Sequence, residues 1–570
     1  MGLRGEAGWL PVGFVLVGAL SLGGCYAGVE GWDPNGGGGQ DGGEDAGDDG
    51  EDGGVEGQCA APQAGPTKLR RLTRSQYEHT IRDLLGFETT AAQGFAPDER
   101  VSAFKSNAVA PVGDLQVEQY MGAAEQVASE ATAELAALLP CDPAVIGEDA
   151  CAEQWLRELA PLAYRRSLAE ADIDRLMSVY ATGKAEADFE TGIKVALQGI
   201  LQSPWFLYHV ELGDPAADVV DGEPVPLSGH ELASRLSYFL WDSMPDQALF
   251  DAAEAGELAT DEGIEAQVER MLADPRAEEA VASFHLQWLG VDEIESLEKV
   301  PEVYPAFDDA LAESMKEDTA RFANWVLTEG DGRLETLLTG AFTFTEDPAL
   351  LALYGVELPV GHVPGDPIPL PAGERAGLLT QASVMAEHAH ANQTSPVHRG
   401  QLVRENLLCQ PLPPPPPEVD NVPPDPDPNA TTRDRFAQHR EDPACAPCHM
   451  LIDPLGFGFE NYDGIGAFRT MEGELPVDAS GEVIGTDAND GTFDGAVQLS
   501  AMLAKTPEVQ DCMARQWFRF SLGRMDTDDD ACTMDRLATA FTDADHDVRS
   551  LIHEIVLSDA FRHRMAPEEQ

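Results

Sequence analysis

Leu227-Ser228-Gly229-His230-Glu231-Leu232 has the side chains of a helix start. Ser228 and Glu231 have capping-box spacing, each side chain accepting from the other residue's backbone N–H, and Leu227 and Leu232 flank them as a hydrophobic staple. Leu236, Phe239, Leu240 and Trp241 follow at helical spacing, so the stretch is expected to bury one face. The same grammar recurs outward from it. Thr73-Arg74-Ser75-Gln76 is a second box, with Tyr77, Ile81, Leu84 and Leu85 behind it and Gly86 at the end. Ser167-Leu168-Ala169-Glu170 is a third, leading to Leu176 and Tyr180. Helical spacing also marks 117–139, the run from Cys151 with Trp155, Leu156 and Leu159, then 193–202, 374–390, 398–408, 433–440, 497–503, 509–522, 534–541 and 548–561. Aromatic residues such as Phe284, Trp288, Phe322 and Trp325 are expected in cores, with His209, His230 and His285 as structural histidines among them. Strand signals are few: a pair within 342–370 and a hairpin or long loop at 476–494. The expected fold class is mainly α, a multi-domain helical protein with little β.

At 570 residues the chain is long enough for several domains, and 43% of it is hydrophobic, enough for sizeable cores. The 101 acidic residues outnumber 36 basic ones, a net charge of −65. Such a chain is repelled by nucleic acid and by anionic membrane surfaces. The N-terminus reads as an export signal: Arg4, then an apolar run at 9–22 too short to span a bilayer. That run ends in Leu22-Gly23-Gly24-Cys25, which resembles a bacterial lipoprotein lipobox. The resemblance implies cleavage before Cys25 and lipidation of its thiol, and Tyr26 in place of Asp implies the outer membrane. The segment 33–57, rich in Gly, Asp and Glu, is expected to be a solvated tether. An exported chain meets an oxidising compartment. Setting aside Cys25, Cys445 and Cys448 leaves six cysteines, enough for three disulfides. Cys141 with Cys151 and Cys512 with Cys532 are the local pairings, Cys59 with Cys409 the remainder, although spacing does not fix connectivity.

Cys445-Ala446-Pro447-Cys448-His449 reads C-x-x-C-H, the attachment pattern of a c-type haem. Two thiols one helical turn apart can each add to a vinyl group of one porphyrin, and the adjacent imidazole then binds the iron. The other readings are a redox dithiol, a local disulfide or half of a zinc site, and no second Cys/His pair stands at zinc spacing. After the motif, the backbone carbonyl near Pro454 is a candidate to orient His449, and Arg469 either pairs with a haem propionate or is a surface arginine. For the sixth iron position His388 leads, with His390, His398, Met385 and Met471 also available. The expected organisation is a signal peptide at 1–24, a tether at 25–58, helical modules at 59–140 and 141–185, and a central helical domain at 186–360. A small cytochrome-c-like helical haem domain at 361–475 and a C-terminal helical module at 476–570 complete it.

Arg71-Leu72-Thr73-Arg74-Ser75-Gln76-Tyr77, Tyr164-Arg165-Arg166, 200–208, 232–241, Thr394-Ser395-Pro396-Val397-His398-Arg399-Gly400, the proline run 413–417, 445–469 and 515–524 together resemble a family of exported, planctomycete-type multi-domain proteins built from consecutive domains of unknown function with a cytochrome-c-like segment. Most of the chain after residue 65 is covered. The segment 445–469 is also similar to haem segments of bacterial dihaem cytochrome c peroxidases, but this chain departs from them in having one C-x-x-C-H, which argues against a two-haem relay of that kind. The resemblance implies a domain order and a haem, not a reaction. The expectation is a lipid-anchored protein of the cell envelope carrying one covalent haem c and exchanging electrons with a redox partner or small-molecule substrate. A haem-dependent peroxidase or oxygenase is the enzymatic alternative, and a surface scaffold lipoprotein without haem the other.

Overall fold

The computed structural model describes residues 59, 62–108, 112–217, 219–413, 423–441 and 445–566. The export signal, Cys25, the tether and 414–417 of the proline run lie outside the described residues. The architecture is mainly α, with 56% of residues helical and 7% in strands. Two of the three expected capping boxes form. Thr73 and Gln76 cap the helix Arg74–Leu85, and Ser228 and Glu231 cap Gly229–Leu240. The third does not: the helix Glu170–Glu186 starts later than a Ser167 cap requires. Asp172 instead accepts from the Ala169 N–H at 3.1 Å and pairs with Arg166 at 3.2 Å.

Three clusters of apolar side chains form the interior. The first joins Tyr77, Ile81, Trp155, Leu197 and Phe206 from the N-terminal helices. The second is the largest and draws on Phe239, Phe284, Trp288, Val403, Leu455, Trp517, Phe518 and Ile552. It includes the Phe284–Trp517 stack, with ring centroids 3.8 Å apart. Stretches read as central domain, haem domain and C-terminal module therefore contribute to one core. The third and smallest gathers Leu311, Met315, Leu350 and Tyr354.

Strands occur in antiparallel pairs, and two of these join distant parts of the chain: Arg70–Arg71 with Tyr208–His209, and Pro224–Pro226 with His563–Met565. The expected pair within 342–370 is Phe342–Thr343 with Ile368–Pro369, and the hairpin within 476–494 is Ser480–Val483 with Gly491–Asp494. Cys141 bonds to Cys151 as read. The other local pairing is corrected, since Cys512 bonds to Cys409 and Cys532 to Cys59. Cys512 sits inside the helix Pro507–Leu522, which packs on the turn Val403–Leu407 that precedes Cys409.

The 374–390 stretch is not one helix. It is a single 3-10 turn, Leu378–Thr380, followed by the short helix Ala382–Glu387. Side chains supply the bonds a continuous helix would have made. The Ala376 N–H donates to Thr380 Oγ1 at 2.8 Å, and Arg375 donates to the Thr380 carbonyl at 2.9 Å.

Candidate functional site

The helix Ala446–Phe457 carries the motif on its first turn. Cys445 stands just before it in helical backbone, and its carbonyl accepts from the His449 N–H at 3.1 Å. Cys445, Cys448 and His449 thus lie within one turn. Pro447 is harmless there, because first-turn N–H groups have no intrahelical acceptor to lose. Neither cysteine is in a disulfide, and both are partly exposed.

His449 meets Asp453 one turn on, where residues four apart face each other. Its Nδ1 lies 2.8 Å from Asp453 Oδ1, and the side chains are 18% and 0% exposed. A carboxylate only accepts, so the contact puts the ring proton on Nδ1 and the lone pair on Nε2. Asp453 Oδ2 is buried without a hydrogen-bond partner among the described residues. The expected orienting group, a carbonyl near Pro454, is therefore replaced by this carboxylate. Pro454 lies inside the helix, and its carbonyl faces the Gly481 backbone so closely that a Cβ at Gly481 would overlap it. The sequence carried the signal for Asp453, four residues after His449 on the same helical face.

The rest of this helix is fixed by a close crossing with Pro396–Leu402. Backbone meets backbone at two glycines: a Cβ on Gly456 would overlap the Pro396 carbonyl, and one on Gly400 the Ile452 carbonyl. Buried arginines lock the surroundings. Arg399 donates to the carbonyls of Phe459, Tyr462, Met385 and Asp463 at 2.8–3.0 Å. Arg404 donates to those of Leu451 and Ile484 at 3.0 and 2.9 Å. Sequence reading gave neither residue a role, because main-chain acceptors carry no sequence signature.

Arg469, a candidate propionate partner, pairs with Glu460 Oε2 at 3.0 Å and donates to the Glu460 carbonyl at 3.0 Å. Glu460 also accepts from Thr394 at 2.8 Å, and burial pushes its carboxyl upward. Arg469 is thus held by a buried carboxylate rather than lying loose on the surface. His388 is bonded elsewhere, its Nε2 2.8 Å from the Leu289 carbonyl, and burial pushes it down to about 4. Its ring proton therefore sits on Nε2. His390 and His398 lie together, ring centroids 5.0 Å apart. Met385 is buried, whereas Met450 and Met471 are exposed. Among the described residues no group of three or more His, Cys, Asp or Glu side chains is arranged to hold a metal ion.

Five family models match in succession along the chain, each described as a protein of unknown function: DUF1587 at 70–133, DUF1595 at 151–211, DUF1592 at 227–356, DUF1588 at 375–472 and DUF1585 at 489–561. The molecule is a mainly helical multi-domain protein of five consecutive domains of unknown function, a known planctomycete-type arrangement. The motif helix falls within the DUF1588 match. No curated protein and no solved structure matches the chain.

Proposed function

We propose that the protein is an exported, lipid-anchored c-type haem protein that transfers electrons at the cell envelope. One observation carries the reading: two unbridged thiols and an imidazole share one helical turn, with a buried carboxylate fixing which ring nitrogen offers its lone pair. Those residues fit a haem c. Cys445 and Cys448 would each add S–H across a vinyl double bond, sulfur to one carbon and hydrogen to the other, which consumes no oxidant. His449 would bind the iron through Nε2, with Asp453 holding the ring. When bound, haem supplies a one-electron ferric/ferrous couple. The apolar run at 9–22 and Cys25 would deliver the chain to the compartment where such attachment occurs and hold it on the outer membrane.

The test is a haem-stained gel of the protein matured in a periplasm. Wild type should stain and Cys448→Ala should lose the stain. Equal staining of the two would refute covalent attachment, and wild type with no haem adduct in its mass spectrum would leave a scaffold lipoprotein. Carbon monoxide added to the reduced protein then separates the redox classes. An unshifted spectrum supports a six-coordinate carrier, and a shift moves the assignment to an open iron face and oxygen or peroxide chemistry.

A further inference from the structure

We infer that Asp453 sets the iron's electronic character, lowering the reduction potential of the couple that His449 would hold. The inference rests on the haem reading above and deepens it. An orienting carbonyl is neutral; Asp453 is a carboxylate, 2.8 Å from the ligand's Nδ1 and 0% exposed. Burial matters, because a charge removed from water acts on its neighbours at a lower effective dielectric. Its negative charge is also not shared out. Among the described residues Oδ2 has no hydrogen-bond partner, and the one ion pair Asp453 makes is with His449. Ferric haem carries one more positive charge than ferrous, so an anion behind the ligand favours the ferric form and raises the basicity of the imidazole.

The geometry is also rigid. Ile452, Leu455 and Phe457 beside Asp453 are buried, and the close crossings at Gly400 and Gly456 fix the helix on either side of it. The carboxylate cannot swing to solvent without lifting the helix off its neighbour. Asp453 is therefore a positioning and potential-setting residue, acting through His449 rather than on a substrate.

The experiment compares matured wild type, Asp453→Asn and Asp453→Glu. Haem staining is read first, then an optical redox titration and the iron–histidine stretch of the ferrous protein by resonance Raman. Asn keeps the shape and removes the charge, so its equilibrium should move at least tenfold toward the reduced form, about 59 mV for one electron, with a lower stretching frequency. Glu keeps the charge and should stay nearer wild type. Stained Asn protein with a potential and stretch matching wild type overturns the inference and leaves the haem reading standing. Unstained wild type overturns both. Should Asn fail to fold, the wild-type spectrum decides alone: a stretch raised above that of a carbonyl-bonded proximal histidine supports the carboxylate's role, and one equal to it refutes it.

Discussion

Arg399→Ala tests what holds the motif's surroundings together. The Arg399 guanidinium is fully buried and donates to four carbonyls, those of Phe459 at 2.9 Å, Tyr462 at 3.0 Å, Met385 at 2.9 Å and Asp463 at 2.8 Å. These belong to the segment following the motif helix and to the short helix Ala382–Glu387. Hydrogen bonds from a charged donor are each worth about 1.5–3 kcal/mol. Four of them come to roughly 6–12 kcal/mol before the opposing effect is counted. That effect is desolvation of the cation, several kcal/mol, and burial indeed pushes this guanidinium downward from its ordinary range. The net loss on truncation is therefore about 3–5 kcal/mol, the range for breaking one side of a buried charged network. Urea unfolding followed by tryptophan fluorescence reads it directly. Arg399→Lys retains the charge but has three donors in a different geometry, so it should recover part of the loss, about 1–2 kcal/mol. Arg399→Ala within about 1 kcal/mol of wild type would refute the reasoning. So would Lys performing no better than Ala, which would make the residue a space-filler.

Two further outcomes follow from buried groups elsewhere. His285 is 0% exposed, its Nδ1 lies 2.8 Å from the Val281 carbonyl, and burial pushes it down to about 4. The unfolded chain, with an ordinary pKa near 6.5, binds the proton first as pH falls. Stability is thus complete above about pH 6.5 and drains as pH drops toward 4, by about 2–3 kcal/mol at pH 4.5 from this residue. The urea midpoint of His285→Phe should fall less between pH 7 and pH 4.5 than that of wild type, and equal slopes would contradict this. Gly456→Ala should cost about 2–4 kcal/mol by driving a methyl into the Pro396 carbonyl. A crystal structure of the variant with the crossing unmoved would contradict the close-approach argument.

What the sequence made legible was what is local. A cap needs only residues three apart, so Ser228 with Glu231 and Thr73 with Gln76 read correctly. Ser167 failed as a cap because Asp172, in the first turn, supplied both the backbone acceptor and the partner of Arg166. Disulfide partners follow which helices touch. Cys141 and Cys151 lie ten residues apart and paired as read, whereas Cys59 reaches Cys532 across 473 residues that no spacing rule spans. Asp453 was within reach of sequence reasoning, because His449 and a carboxylate four residues on must share a helical face. Arg399, Arg404 and Glu460 were not. Charged residues are rarely buried without partners, and the partners of the two arginines are largely main-chain carbonyls contributed by distant segments.

The two ends of the motif helix do different work, and that division explains its unusual composition. Toward its C-terminus Ile452, Asp453, Leu455, Gly456 and Phe457 are buried. A proline at 454 and a glycine at 456 would weaken a free helix, yet here the glycine permits the crossing and Pro454 lies against the hairpin. Toward its N-terminus Cys445, Cys448 and His449 are only partly covered and Met450 is exposed. The chemistry-bearing turn is therefore presented by a segment whose other end is clamped by backbone contact. Asp453 stands where the two meet, buried with the clamped half and bonded to the imidazole of the presented half. Loosening the crossing should thus reach the imidazole through that carboxylate. If the protein carries the haem proposed above, Gly456→Ala, which touches neither thiol nor imidazole, should therefore disturb the iron–histidine stretch of the loaded protein as well as stability. Lost stability with an unchanged stretch would uncouple the two halves.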